Sequence, residues 1–159
     1  TLGRLASHPR IAGLMVVLDA DDSFWPTLKL SLPVPLHTTT GGAERYASVD
    51  NGLAALAELT DPEDWVLVHD AARPCLRHQD IDRLLDAVAD NPVTDHPVGG
   101  LLAAPVADTM KRSDANGEVI ATVNRESLWR ALTPQMFRLG ALRAALQHAA
   151  EAGLTVTDE

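Results

Sequence analysis

Residues 11–18 read Ile-Ala-Gly-Leu-Met-Val-Val-Leu, an almost unbroken apolar run that ends at Asp19. Such a run is typical of a strand covered on both faces, because neither side of it has to meet water. Two similar runs follow in the chain, Trp65–Val68 and Leu101–Val106. The three runs predict three buried strands.

Segments with helical spacing lie between and after these runs. Their apolar residues recur at intervals of three and four, which is the period of one helix face. The three sets are Tyr46, Val49, Leu53 and Leu56; Ile81, Leu84, Leu85 and Val88; and Leu139, Leu142, Leu146 and Ala149. Strands that alternate with amphipathic helices predict an α/β domain with a mostly parallel sheet and flanking helices. In such sheets ligands bind at the carboxyl ends of the strands.

The segment 107–130 has a different pattern. It is polar and turn-rich from Met110 to Gly117, and Glu118–Val123 then alternates with β-branched residues. This pattern is typical of a hairpin and predicts a β-arm that projects from the sheet. Four of the 13 basic residues lie in the arm and its return: Lys111, Arg112, Arg125 and Arg130. They suit a phosphorylated small molecule, or they form a solvated basic face.

Composition limits the classes of function. A chain of 159 residues is one domain's worth by length, and its 22 acidic and 13 basic residues give a formal charge of −9. An acidic surface repels phosphate arrays, so binding to nucleic acid or to an anionic membrane is disfavoured. The single cysteine permits no internal disulfide, and no stretch is apolar enough for a membrane helix, which favours a cytoplasmic protein. Since the chain begins with Thr1, we expect a piece of a longer protein.

A double glycine, Gly41-Gly42, follows the strand-like Leu36–Thr40 and opens a helix. Two glycines allow a sharp turn and close approach to a ligand, and the free N–H groups of a helix start suit an anionic or carbonyl-rich partner. Ser48 lies on the same helix face as Arg45. An ordinary strand-to-helix turn with a surface arginine explains the same residues, because a Gly-Gly turn is a weak motif.

Asp70 follows the second apolar run, within the sequence His-Asp-Ala-Ala-Arg-Pro at residues 69–74. A carboxylate at the mouth of a sheet is a suitable Mg²⁺ ligand, and the two alanines leave room beside it. The alternatives are a helix cap or an ion-pair partner for Arg73, which we expect to lock the loop. His69 is interpreted as a packed or hydrogen-bonded histidine rather than an acid–base catalyst.

Isolated hydroxyl and thiol groups are weaker candidates. Thr133 precedes Pro134, where the sequence predicts a turn, and Thr157 lies near the last residue. Hydroxyls at turns are usually caps. Cys75 follows a proline with no obviously paired histidine, so we interpret it as a packing residue rather than a nucleophile. The sequence contains no serine-hydrolase elbow, no Walker loop and no dinucleotide fingerprint.

Five motifs, taken together and in order, resemble the 2-C-methyl-D-erythritol 4-phosphate cytidylyltransferase family of the non-mevalonate isoprenoid pathway. The motifs are Gly41–Leu53, Val68–Pro74, Pro105–Lys111, Leu132–Gln135 and Thr155–Glu159. The resemblance implies a Rossmann-like nucleotidyltransferase fold and transfer of a cytidylyl group from CTP to 2-C-methyl-D-erythritol 4-phosphate, with Mg²⁺ and release of pyrophosphate. It also implies a homodimer in which the arm of each subunit helps to complete the other subunit's active site.

The resemblance also assigns roles to residues. The nucleotide would be bound by Gly41, Gly42, Ser48, Asp70 and Ala71, with Asp70 also at the metal. The acceptor, 2-C-methyl-D-erythritol 4-phosphate, would be held by Thr109, Arg125, Thr133 and Thr157, with Arg125 positioning it for attack. Because Thr109 and Arg125 belong to the arm region, we expect a neighbouring subunit to supply them. The family's glycine-rich loop with its arginine and lysine, and its later lysine segment, are not in these 159 residues.

Two other functions are compatible with the sequence. Ribitol-5-phosphate cytidylyltransferases have a similar core and a related acceptor, and only Ala72 favours the methylerythritol enzyme. A catalytically silent nucleotide-binding or dimerisation module would also fit a chain without the family's cationic loop.

Overall fold

The computed structural model describes residues 1–88 and 98–154. The helices are α1 (Leu2–Ala6), α2 (Arg45–Ala57), α3 (His78–Val88) and α4 (Leu139–Glu151), with a short 3₁₀ turn at Trp25–Thr27. The strands are β1 (Leu14–Leu18), β2 (Leu36–Thr40), β3 (Trp65–Val68), β4 (Gly99–Pro105), β5 (Met110–Ser113), β6 (Val119–Val123) and β7 (Trp129–Arg138). None of the helices in these two ranges is both long and apolar enough to cross a membrane.

The strands of the described residues form three hydrogen-bonded groups. Strands β1 and β2 are parallel, with Leu14 opposite Leu36 and Leu18 opposite Thr40. Strand β7 lies between β3 and β4 and is antiparallel to both. Strands β5 and β6 pair with each other as an antiparallel hairpin. The α/β fold with a parallel pair of strands and flanking helices is therefore confirmed.

Strand β7 departs from the mostly parallel sheet that the sequence predicts. Since β3 and β4 are each antiparallel to β7, they run in the same direction as one another. The chain reaches β7 through the β5–β6 hairpin instead of a helical crossover. A strand that returns beside β4 without a crossover has to run antiparallel to it, which accounts for the difference.

Helices cover both faces of the β3–β7–β4 sheet. Met136 on β7 is fully buried among residues of α3, whereas the next residue, Phe137, packs on the opposite face against α2 and α4. This alternation is the period of two that a strand imposes on its side chains. The buried residues are Ile81, Leu84, Leu85 and Val88 on α3, and Leu139, Leu142 and Leu146 on α4. The predicted core faces of these two helices are thus confirmed.

Two local predictions are wrong. Tyr46 is 38% exposed, so the apolar face of α2 begins at Val49 instead, which packs on the core around Leu53. Cys75 is exposed and not a packing residue. The adjacent Leu76 enters the core beside α3 instead.

The predicted β-arm is present as a hairpin that extends from the sheet. All of β5 and most of β6 are exposed, and Lys111 Nζ donates to Thr122 Oγ1 across the two strands at 2.6 Å. The turn is closed by Asp114, whose Oδ1 accepts the N–H of Glu118 at 2.9 Å. Gly117, with φ +85°, occupies a backbone region that other residues rarely adopt.

Candidate functional site

A cavity of about 250 Å³ lies where α2, the loop after β3 and β7 meet. Its lining residues are Arg45, Asp70, Arg73, Ala131, Leu132, Thr133 and Gln135. The cavity is next to the carboxyl end of β3, at the kind of sheet edge where α/β proteins bind ligands. The lining thus combines three charged side chains with the apolar Ala131 and Leu132.

Asp70 is held between two guanidinium groups. Arg45 Nη2 lies 3.1 Å from Asp70 Oδ1, and Arg73 Nε lies 2.8 Å from Asp70 Oδ2. The predicted locking of the loop by Arg73 is confirmed. Two positive charges and one negative charge give this cluster a net charge of +1, although the formal net charge of the chain is −9. Guanidinium groups bind phosphate oxygens through charge-assisted hydrogen bonds, so the cluster favours an anionic ligand.

His69 stabilises the same loop through hydrogen bonds of both ring nitrogens. Its Nδ1 lies 3.0 Å from Thr133 Oγ1, and its Nε2 lies 3.1 Å from the carbonyl oxygen of Arg73. Burial lowers the pKa of His69 below its usual value, and this outweighs the bond to Arg73 and the field of Asp70, which both raise it. The hydrogen-bonding role that the sequence predicts for His69 is confirmed.

Thr133 lies inside β7, so the predicted turn at this residue is wrong. Leu101 of β4 opposes Gln135, but Ala103 opposes Ala131, so β7 carries extra residues over this stretch and bulges. A bulge tolerates Pro134, which has no N–H to give to a neighbouring strand. It also leaves the Thr133 hydroxyl beside the Asp70 loop, where it accepts the N–H of Asp70 at 3.2 Å.

The Gly-Gly turn is fixed by its own contacts. Gly41 N–H donates to the carbonyl of Leu18, the last residue of β1, at 2.7 Å, and Gly42 N–H donates to Ser48 Oγ at 3.1 Å. A Cβ on Gly42 would lie 2.5 Å from the Cβ of Ala47, so the turn requires glycine there. The turn leads directly to Arg45 and hence to Asp70, so one edge of the fold carries both predicted nucleotide-binding motifs.

The IspD family, described as 2-C-methyl-D-erythritol 4-phosphate cytidylyltransferase, matches residues 1–159. The chain belongs to this family. A 2-C-methyl-D-erythritol 4-phosphate cytidylyltransferase of Pseudomonas aeruginosa is 51% identical over 160 residues, covering 100% of this chain and 66% of the relative. One from Pseudomonas putida is 51% identical over 153 residues, covering 96% of this chain and 63% of the relative.

Solved structures agree with this family assignment. A crystal structure of 4-diphosphocytidyl-2C-methyl-D-erythritol synthase superposes with a TM-score of 0.82 at 36% identity, covering 99% of this chain and 69% of that one. The IspD of Francisella tularensis gives a TM-score of 0.83 at 32% identity, with the same coverage of both chains. The resemblance and the Rossmann-like nucleotidyltransferase fold are confirmed. The chain spans 66% of the length of the first curated relatives that it matches.

The residues that the IspD resemblance assigns to the acceptor lie in different parts of the structure. Thr133 lines the cavity, whereas Thr109 and Arg125 are exposed in the arm region. Ala71, assigned to the nucleotide, is exposed beside Asp70, and its carbonyl accepts the hydroxyl of Thr1 at 3.0 Å. Thr157 lies outside the described residues. The convergence of Arg125 with Asp70 on one pocket stays a prediction, because the cavity of a single chain is lined by other residues.

Sequence reasoning undervalued two cavity residues. Arg45 was explained equally well as a surface residue, although its place four residues after Gly41 is a usable signal in an IspD chain. Gln135 is 1% exposed and lines the cavity, but nothing about a glutamine after a proline predicts burial. Its burial follows from its position on β7 opposite Val68.

Asp70 fits Mg²⁺ only as a single protein ligand. Within residues 1–88 and 98–154, no group of three or more His, Cys, Asp or Glu side chains could hold a metal ion. Mg²⁺ usually keeps several waters and binds one or two carboxylates together with substrate phosphates. One partly exposed carboxylate beside a cavity that attracts anions fits this mode of binding.

Proposed function

We propose that this chain contributes to a cytidylyltransferase that transfers the cytidylyl group of CTP to 2-C-methyl-D-erythritol 4-phosphate. The observation that carries the proposal is the cavity in which Arg45 and Arg73 hold Asp70 beside the Gly-Gly turn. Three of the five IspD sequence motifs contribute residues to its lining, and the net charge of the cluster suits a nucleotide phosphate. Membership in the IspD family supplies the identity of the two substrates.

The proposed reaction is an in-line displacement at phosphorus. A phosphate oxygen of the acceptor forms a bond to the α-phosphorus of CTP, and the bond to pyrophosphate breaks with the electron pair leaving on the pyrophosphate oxygen. The acceptor phosphate is already an anion at neutral pH, so no covalent enzyme intermediate is needed. The protein therefore has to bring two anions together and stabilise negative charge by position and electrostatics.

Residues on the nucleotide side have distinct proposed roles. The Gly41-Gly42 turn and Ser48 are proposed to bind cytosine and ribose, since glycines let the backbone approach a ligand closely, and Asp70 and Ala71 are proposed to bind the ribose. Arg45 and Arg73 orient the Asp70 carboxylate and keep the cavity positive. Mg²⁺ bound at Asp70 would neutralise phosphate charge and polarise the phosphorus–oxygen bonds.

The acceptor side is proposed to include a second copy of the chain. The arm exposes Val119 and Ile120 by 63% and 61%, and Trp129 at the start of β7 by 62%. A two-stranded hairpin with exposed apolar residues is marginally stable by itself, so packing on a partner subunit would stabilise it. In such a homodimer, Thr109 and Arg125 would reach the partner's cavity, with Arg125 positioning the acceptor phosphate. Thr157 is proposed to bind the same phosphate.

We also propose a cytoplasmic location, without nucleic-acid or membrane partners. A single exposed cysteine suits a reducing compartment, and a net charge of −9 opposes binding to polyanions.

A coupled assay of pyrophosphate release tests the function directly. The intact protein is incubated with CTP, Mg²⁺ and either 2-C-methyl-D-erythritol 4-phosphate or ribitol 5-phosphate. Turnover with the first acceptor supports the proposal, and turnover with ribitol 5-phosphate alone contradicts it. Calorimetry with CTP is run beside the assay, since binding without turnover on either acceptor would indicate a silent nucleotide-binding module.

A further inference from the structure

The connection from the arm to the sheet, residues 124–128, is held at both ends by backbone pairing. Val123, the residue before it, pairs with Met110 of β5. Leu128, its last residue, accepts the N–H of Val106 at 3.0 Å. All five residues of the connection are exposed, so hydrogen bonds rather than burial fix its shape.

Two overlapping turns fix the backbone of Arg125 within this connection. Asn124 Oδ1 accepts the N–H of Glu126 at 3.0 Å, which makes Arg125 the central residue of an Asx turn. The carbonyl of Arg125 accepts the N–H of Leu128 at 3.0 Å, so Arg125 is also the first residue of a β-turn. The backbone of Arg125 is thus constrained on both its N-terminal and its C-terminal side.

Ser127, the third residue of the β-turn, has a φ of +64°. A type II turn requires a positive φ at this position, and residues with a side chain rarely adopt it. Among the residues that the structure describes, Ser127 is the only one besides glycine with a positive φ. Strained positions of this kind persist where the surrounding structure requires them, and they cluster at functional sites. The strain at Ser127 therefore singles out the turn that begins at Arg125.

We propose that Asn124 and Ser127 are positioning residues that fix Arg125 for contact with the acceptor phosphate. Asn124 acts through its side-chain oxygen, and Ser127 acts through its backbone conformation. The inference rests on the proposed function, in which Arg125 positions that phosphate. An arginine on an unconstrained loop loses conformational freedom when it binds a phosphate, and a preformed turn reduces that cost. Neither Asn124 nor Ser127 has to touch the substrate.

Two substitutions of Ser127 separate a backbone role from a contact of its hydroxyl. Glycine adopts a positive φ without steric cost, whereas a β-branched residue is strongly disfavoured there. We expect Ser127→Gly to keep the KM of the unmodified protein for 2-C-methyl-D-erythritol 4-phosphate and Ser127→Thr to raise it about tenfold. KM for CTP should stay unchanged in both. If the hydroxyl bound the phosphate, Ser127→Gly would be the damaging change and Ser127→Thr the mild one, and this order would overturn the proposal.

Substitutions of Asn124 test the Asx turn in the same way. Asn124→Ala removes the side-chain oxygen and should raise KM for 2-C-methyl-D-erythritol 4-phosphate about tenfold. Asn124→Asp keeps an oxygen for the Glu126 N–H and should recover most of this loss. Because a carboxylate in contact with a phosphate would repel it, an Asn124→Asp variant with a higher KM than Asn124→Ala would show direct contact with the substrate and overturn the proposal.

Asp114→Ala is the matched control. Asp114 Oδ1 accepts the N–H of Asn116 at 2.9 Å, so this change also removes an Asx turn, but in the loop between β5 and β6. It should leave KM for both substrates unchanged. An equal rise in KM for 2-C-methyl-D-erythritol 4-phosphate would show that any loosening of the arm has this effect, which would contradict a specific role of Asn124.

Steady-state kinetics and amide hydrogen exchange of the intact protein let the inference and the proposed function fail separately. Without ligand, we expect faster exchange of the Glu126 amide in Asn124→Ala and of the Leu128 amide in Ser127→Thr, since each change opens one of the turns. An unmodified protein that transfers no cytidylyl group would contradict the proposed function. An active protein whose variants show faster exchange but the same KM for 2-C-methyl-D-erythritol 4-phosphate would overturn the positioning of Arg125 and leave the proposed function standing.

Discussion

Arg45, at the first position of α2, reaches Asp70 beyond the end of β3, with its Nη2 and Nε 3.1 Å and 3.3 Å from the same carboxylate oxygen. The two residues are 25 positions apart in the chain. Their contact joins the turn at Gly41-Gly42 to the Asp70 loop. The two predicted nucleotide-binding motifs are therefore in direct contact, and we expect a substitution of Arg45 to alter the structure of both.

We predict that Arg45→Ala weakens CTP binding about tenfold or more, because it removes a guanidinium from the cavity and releases one side of Asp70. The Arg45 and Asp70 side chains are 40% and 27% exposed, so the free energy of unfolding should change by less than about 1 kcal/mol. Calorimetry with CTP and thermal unfolding measure the two effects. Arg45→Lys should recover only part of the affinity, since an ammonium cannot place two nitrogens on one carboxylate oxygen as the guanidinium does. Unchanged CTP affinity in Arg45→Ala would show that the cluster lies outside the nucleotide site.

Helices were the most predictable part of the fold. Ile81, Leu84, Leu85 and Val88 occupy one face of α3, and all four are buried as their spacing predicts. The apolar spacing of α3 is clear in the sequence because the sheet covers only one side of this helix. Strand β3 was predicted at its observed bounds for a related reason, since both of its faces meet apolar residues and the run is unbroken.

Strand β7 could not be predicted from local sequence. Thr133 and Pro134 are turn residues by every local rule, and the bulge that admits them depends on β4, some thirty positions earlier. The same limit applies to the site. Gly41 directly follows β2 and Asp70 comes two residues after β3, so both were found, whereas the contacts of Asp70 with Arg45 and Thr133 depend on how three elements pack.

Gly99 tests the close packing of β4 on β7. A Cβ added there would overlap the carbonyl oxygen of Met136 and the ring of Phe137, and backbone cannot move aside as a side-chain end can. We predict that Gly99→Ala lowers the free energy of unfolding by about 1–3 kcal/mol, the range for overpacked sites. Gly3→Ala is the matched control, because Gly3 is within α1 and an added Cβ meets nothing within 4 Å. It should be neutral or slightly stabilising. Equal effects of the two changes in denaturant unfolding would refute the packing argument.

Asp80 provides a prediction about pH. It lies in the first turn of α3, and hydrogen bonds from the Arg77 side chain, with Nη2 2.7 Å from Asp80 Oδ1, hold the pKa of Asp80 below its usual value. A lowered folded-state pKa means that the stabilisation is complete above the unfolded value near 3.9 and is lost as pH falls through the folded value. Asp80→Asn should therefore lower Tm slightly at neutral pH and not at all once the pH is well below the folded-state pKa of Asp80. Glu126→Gln, an exposed carboxylate in a loop, is the control. A difference in Tm that persists in acid would assign the effect of Asp80→Asn to something other than its charge.

Arg125 belongs to the arm region and is not among the residues that line the cavity of its own chain, which leads to a complementation experiment. If the arm serves the partner subunit, a dimer of one Asp70→Asn chain and one Arg125→Ala chain contains one site with both defects and one site with none. Each variant alone should be nearly inactive, and an equimolar mixture that exchanges subunits should recover about a quarter of the unmodified activity, since half of the dimers are mixed and each holds one intact site. Arg112→Ala, in the same arm, replaces Arg125→Ala in the control mixture and should be active by itself. If the arm serves its own chain, every site in the mixed dimer carries one defect. A mixture as inactive as its components would therefore place Arg125 in the active site of its own subunit.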